Sequence, residues 1–147
     1  MPAATLRSGE VLRYSVRYLS VGLGRIELAS LGPVDGAASL VHRLRLSARS
    51  NPAIFFYRVR NEYNSVVTGA GAVVRHNNLS DDSTSTPSLT AYDMDYDRGV
   101  CVWRYAEDGL IGFDRLPLPQ MAQDGVSTLV LAREVARTRR SVSVLTA

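Results

Sequence analysis

Three aspartates at alternate positions, Asp93-x-Asp95-x-Asp97, followed by Gly99, look most like chemistry in this 147-residue chain. A calcium loop with that opening needs glycine at its sixth position and a bidentate glutamate at its twelfth. Here the sixth residue is Arg98 and the twelfth is Arg104, so the loop fails at both places. On a strand the same aspartates would line one face, where arginines can neutralise them. His42 and His76 are far apart, and with the lone Cys101 they make no zinc spacing. His42 sits among Leu40, Leu44 and Leu46 and reads as a core histidine. No Gly-x-Ser-x-Gly elbow is present, so a serine, a histidine and a carboxylate would have to meet through the fold alone. Gly22-Leu23-Gly24 and Gly69-Ala70-Gly71 lack the further glycine and the helix of a phosphate loop and read as turns. The expectation is therefore no catalytic residue, no metal, no cofactor and no enzyme.

Arginine is the second feature. All 17 basic residues are arginine, and lysine is absent. GC-rich coding accounts for that bias; selection for bidentate anion contacts would require the arginines to cluster. Their distribution is uneven. Residues 1–75 hold ten arginines against Glu10, Glu27, Asp35 and Glu62, whereas residues 76–132 hold three against nine acids. Opposed halves can pair across a sheet or mark a partner face, and the pairing is the first expectation. Arg43, Arg45 and Arg49 share one strand face and are the candidate partner face, with Arg58 and Arg60 on another. Tyr14, Tyr18, Tyr57 and Val59 fall on the opposite side. Stacking rings and cations are thus separated, which argues against nucleic acid. An anionic lipid, a glycan or an envelope protein fits such a face better.

The elements that must position these residues are strands. Leu12, Tyr14, Val16 and Tyr18 alternate with Arg13, Ser15 and Arg17, giving one apolar and one wet face. A turn at Ser20–Gly24 then leads into Ile26, Leu28 and Ser30, and Gly32-Pro33-Val34-Asp35-Gly36 closes the hairpin. Alternation returns over Ser39–Arg49 and over Phe55–Tyr63, with a further strand through Ala72–His76. Asn77–Ser88 is polar, a loop or a weak edge strand. Thr90–Tyr96 and Val100–Tyr105 form a hairpin around Asp97-Arg98-Gly99. Leu110–Pro119 reads as irregular. Gln120–Arg140 carries the one helical pattern, with Met121, Val126, Leu129, Val130 and Ala136 on its apolar face, and Ser141–Leu145 can open another strand. About seven strands and a late helix make one domain over 1–147, mainly β: a curved antiparallel sheet, half-barrel or barrel-like. No apolar run is long enough for a transmembrane helix, and the first residues lack a signal-peptide pattern.

Gly9-Glu10-Val11-Leu12-Arg13-Tyr14-Ser15-Val16-Arg17-Tyr18, followed by Gly22 and Gly24, resembles the opening of the bacterial domain of unknown function 3108. Looser similarities follow at Asn61 and Ser65, at Tyr92-Asp93-Met94-Asp95, and at Asp124-Gly125-Val126-Ser127 with Leu129 and Arg133, similar to that family's Asp-x-x-Ser helix start. The resemblance implies a cell-envelope or periplasmic location and no catalytic residue. Members of that family usually carry an export signal and continue past the helix with more strands. The expectation is that this chain is an incomplete version of the domain.

The inner face predicted for such a sheet is Leu12, Tyr14, Val16, Tyr18, Leu40, Leu44, Leu46, Phe55 and Tyr57. A small curved sheet either packs that face shut or holds one ligand on it. The sequence thus favours a non-enzymatic envelope protein that binds or carries a hydrophobic or lipid-like molecule. The alternative is a structural module docking a protein or anionic glycan through its arginine face.

Overall fold

The computed structural model describes residues 7–34, 41–83, 86–118 and 120–138. Eight strands follow one another as a meander: β1 (Val11–Tyr18), β2 (Val21–Pro33), β3 (Val41–Ser50), β4 (Val59–Thr68), β5 (Val73–Asp82), β6 (Ser88–Asp95), β7 (Val100–Glu107) and β8 (Leu110–Pro117). Each pairs antiparallel with its sequence neighbours, so the sheet order is the chain order. The sheet is curved and does not close, since β1 and β8 share no ladder. One helix, α1 (Gly125–Thr138), lies on its inner face against β3 and β4. The fold is therefore mainly antiparallel β with a late helix.

The alternation seen in sequence becomes two faces. Leu12 stands opposite Leu28, and Leu28 opposite Leu46, on the helix side. Arg13, Glu27 and Ser47 occupy the next row and face outward. Leu28, Leu44, Val67, Val73 and Val126 are buried together, with Leu12, Leu46, Tyr63, Met94 and Val130 packed around them. These positions lie toward the sheet end that carries the β4–β5 turn and the start of α1. At that core end Val73 N–H donates to the Ala122 carbonyl, and the Tyr96 hydroxyl donates to the Val73 carbonyl and accepts from Ala122 N–H. The opposite end carries the β1–β2, β3–β4, β5–β6 and β7–β8 connections. No helix among the described residues lies over it.

Several sequence expectations change. The first turn is Leu19-Ser20, tighter than predicted, and Val21–Gly24 belong to β2. Gly24 is needed there because a Cβ would stand 2.3 Å from the Arg49 carbonyl oxygen of β3. β2 runs on through Gly32-Pro33, where a turn is predicted. β4 starts at Val59, so Phe55 and Tyr57 lie in the β3–β4 connection. The polar stretch Asn77–Asp82 belongs to β5, paired on both sides as far as Ser80 and with β4 alone at Asp81 and Asp82. Leu110–Pro117 is an edge strand, where a terminal proline loses no ladder bond. Its turn, Asp108-Gly109, has positive φ at both residues, as a two-residue hairpin favours. The helix begins at Gly125, five residues after the predicted start. Val126 and Val130 meet the core, whereas Met121 and Leu129 are exposed. Leu40, the Ala136 side chain and Ser141–Leu145 lie outside the described residues.

Candidate functional site

The sheet register places Leu44, Ser65, His76, Tyr92 and Trp103 side by side across β3 to β7 on the inner face. Asp124, just before α1, reaches into this row. The Ser65 hydroxyl donates to Asp124 Oδ2 at 2.5 Å, and His76 Nδ1 lies 2.7 Å from the same oxygen. Ser65 Oγ and His76 Nδ1 are themselves 2.9 Å apart. The carboxylate accepts, so the ring carries its proton on Nδ1. Asp124 Oδ1 accepts from the Ser127 N–H at 2.7 Å, while Asp124 N–H donates to Ser127 Oγ at 3.0 Å. This is a reciprocal N-cap in which aspartate and serine each satisfy the other's backbone donor. Burial pushes the Asp124 carboxyl up, but hydrogen bonds from His76, the Ser127 N–H and Ser65 outweigh it and hold the group below the ordinary carboxylate value.

A serine, a histidine and an aspartate thus do meet through the fold. Their geometry is not that of an acyl-transfer relay, which needs the carboxylate at one ring nitrogen and the hydroxyl at the other. Here hydroxyl and carboxylate both meet Nδ1. Ser65 is 1% exposed, leaving its oxygen no open side for a substrate. What the cluster does is fasten the start of α1 to β4 and β5.

From His76 an aromatic row runs outward along the concave face. Its ring is flanked by Tyr63 (centroids 6.2 Å apart) and Tyr92 (6.1 Å). Tyr92 stacks on Trp103 with planes 12° apart, and Trp103 meets Tyr105 at 5.1 Å. Gly112 opposite Tyr105 makes room for that ring, because a Cβ there would fall 2.3 Å from it. Two buried polar atoms on this face, Asn78 Oδ1 and Trp103 Nε1, have no hydrogen-bond partner among the described residues. Leaving such groups unpaired costs about 1–3 kcal/mol each. Toward the open end the floor becomes Ala48, Asn61, Ser80 and Ser88, one register row across β3 to β6. It is walled by Tyr14, Val16 and Tyr18 on β1 and by Tyr105 and Leu110 on β7 and β8, all exposed.

Of the predicted lining, Leu44 is buried and Leu12 and Leu46 pack against the core, so these three belong to packing. Tyr14, Val16 and Tyr18 share their face but stand clear of the helix, open to solvent. Phe55 and Tyr57 do not join them; both are exposed in the β3–β4 connection. Spacing alone gives no sign of Tyr92, Trp103 or Tyr105, because the row they belong to forms across four strands, β4 to β7.

On the outer face Asp93 is clamped by Arg75 at 2.6 Å and by Arg104. Burial raises its carboxyl, and the two arginines more than reverse that, holding it low. Asp95 accepts from the Arg98 N–H, closing the β6–β7 turn. Asp93 thus serves arginines and Asp95 the turn, and among the described residues no group of three metal-capable side chains converges. His42 is half-buried at the start of β3. The predicted pairing between the two halves of the chain is realised by Arg58–Asp81 and Arg75–Asp93, whereas Arg13–Glu27 stays within the first half. Arg43, Arg45 and Arg49 take no ion pair among the described residues. A hollow of about 210 Å³ on this face is lined by Arg49 and Arg60 together with Glu62 and Asp81, without an ion pair between them. No protein-family model, no curated protein and no solved structure matches the chain.

Proposed function

We propose that the protein is a non-enzymatic binding protein of the cell envelope that takes a hydrophobic or lipid-like ligand on the concave face of its sheet. The observation that carries this reading is the incomplete cover of that face. Among the described residues the helix packs on it at the core end, and beyond the helix Tyr14, Val16, Tyr18, Tyr105 and Leu110 stand exposed as walls over a mainly polar floor. Exposed apolar side chains gathered around one concavity favour an interaction site. The envelope location rests on the likeness of Gly9–Tyr18 to domain of unknown function 3108.

Trp103, the chain's single tryptophan, supplies the assay. Titration with a conjugated polyene fatty acid should give saturable energy transfer from Trp103. Replacing Tyr18 and Tyr105 with aspartate should weaken it at least about tenfold, as expected for charges placed against a hydrocarbon chain. Native mass spectrometry of the purified protein should show a co-purified adduct. A clean mass together with no saturable transfer would sink the proposal.

A further inference from the structure

The open end of the sheet carries a second feature that the ligand reading does not use. The β1–β2 turn presents Leu19 at 87% exposed, and the neighbouring β3–β4 connection presents Phe55 at 88% and Phe56 at 76%. Water is a poor environment for these side chains, yet they occupy the tips. Leu19 also sits at a positive φ of 52°, a conformation that asparagine or glycine tolerates better than leucine. The two tips are held together. Asn51 N–H donates to the Leu23 carbonyl at 2.7 Å, and Asn51 Nδ2 donates to the Gly22 carbonyl at 2.9 Å. The Phe55 and Phe56 rings brace each other edge to face, 5.7 Å apart.

Directly behind these tips the outer face carries arginines in a row. Arg25 is opposite Arg49, and Arg49 is opposite Arg60, on three successive strands. Like charges directly opposite on a sheet repel. None of the three takes an ion pair among the described residues, and all are exposed. The row ends at Asp81, which Arg58 already engages. Arg17, next to the first tip, is also exposed. The β7–β8 tip at the same end is apolar too, but Glu107 and Asp108 accompany it, so the basic part of this end is confined to β1–β4.

Apolar tips followed by unpaired arginines match the layering of a bilayer surface, hydrocarbon first and anionic headgroups next. We infer that the β1–β2 and β3–β4 tips dock this protein on an anionic lipid membrane, with Leu19, Phe55 and Phe56 entering the interface and Arg17, Arg25, Arg49 and Arg60 meeting the headgroups. Charge complementarity selects the anionic surface over a neutral one. The inference stands without the ligand reading, since neither the tips nor the arginine row line the concave face.

Flotation with vesicles tests it. The chain should float with vesicles of equal parts phosphatidylcholine and phosphatidylglycerol, stay down with phosphatidylcholine alone, and be released by salt. Phe55→Ser with Phe56→Ser should weaken partitioning at least about tenfold, because two apolar side chains leave the interface. Each arginine is worth about fivefold on such a surface, so Arg25→Gln, Arg49→Gln and Arg60→Gln together should cost about two orders of magnitude. Leu19→Asn should weaken flotation without lowering the melting temperature, which separates lost docking from lost folding. On the unaltered protein, amides of residues 18–24 and 51–57 should gain hydrogen-exchange protection with the mixed vesicles. Failure of the wild type to float, or undiminished flotation of the double phenylalanine variant, overturns the inference. So does self-association in place of flotation that the same variant abolishes, which would make the tips a protein contact.

Discussion

At the scale of single residues, Asp124 is the most consequential side chain outside the hydrophobic core. It caps α1 and at the same time accepts hydrogen bonds from the Ser65 hydroxyl and the His76 ring. Asp124→Ala removes the cap and the acceptor that Ser65 and His76 share, leaving those two only each other, an expected loss of about 2 kcal/mol in chemical denaturation. Asp124→Asn keeps a capping oxygen but loses the charge, and about half that loss is expected. The carboxyl lies lower in the folded chain than in the unfolded one. Its contribution is thus complete above the ordinary carboxylate value and disappears as pH falls through the depressed one, below about pH 4. The acid limb of the stability profile should accordingly be shallower in Asp124→Asn than in the wild type. An identical limb would show that Asp124 is not the group that matters there. Little of this cluster was readable beforehand. Ser65, His76 and Asp124 come from three elements and have no motif spacing. The one local sign was Asp124-Gly125-Val126-Ser127, a helix-start pattern whose hydrogen bonds are those now observed.

Among the elements, strands with one wet and one packed face were legible, and strands without that contrast were not. β1 and β3 alternate arginine with apolar residues because their two faces meet water and the helix-covered interior. β5 is polar from Asn77 onward except for Leu79 on its outer face. Its inner side there lines the open end, so Asn78 and Ser80 leave no hydrophobic period to detect. β8 fails for the opposite reason: Leu110, Ile111 and Phe113 are apolar on both sides of an edge strand. The β2–β3 ladder depends on a residue that periodicity misreads as turn. Gly24→Ala would drive a methyl against the Arg49 carbonyl and the Ser50 Cα, at 2.3 and 3.1 Å, both backbone atoms that yield only if the ladder shifts. A loss of about 2 kcal/mol is expected, in the range of overpacked sites. Its effect should concentrate at the open end, so amides of Val21–Gly24 and Arg49–Asn51 should exchange faster in the variant while Leu28 and Leu44 keep their protection. Uniform acceleration across β2 would mean that the close approach is not where the strain enters.

Across the whole molecule, burial is distributed unequally, and stability should follow it. Among the described residues eight hydrophobic side chains are buried, whereas twenty large ones are exposed. The central cluster draws on β2, β3, β4, β5 and α1, and β7 contributes only the buried Cys101. β8 contributes no buried side chain and pairs on one side alone. A meander makes that gradient possible, because each strand rests on its neighbours in sequence and no later strand locks an earlier one. Local opening costs least where few apolar side chains are buried and most where the cluster lies. Native-state hydrogen exchange should therefore rank the amides of β3, β4 and the core-end half of β5 as slowest, close to global unfolding. The β7–β8 hairpin should exchange through a smaller opening that leaves the α1–β4 contact intact. Denaturant dependence distinguishes the two cases, since a local opening exposes little surface and its exchange barely responds to low urea. If β7–β8 amides merge with those of β4 at every urea concentration, the sheet unfolds as one cooperative unit. The open end would then be held by the same cluster as the core, instead of being the part free to rearrange around a ligand.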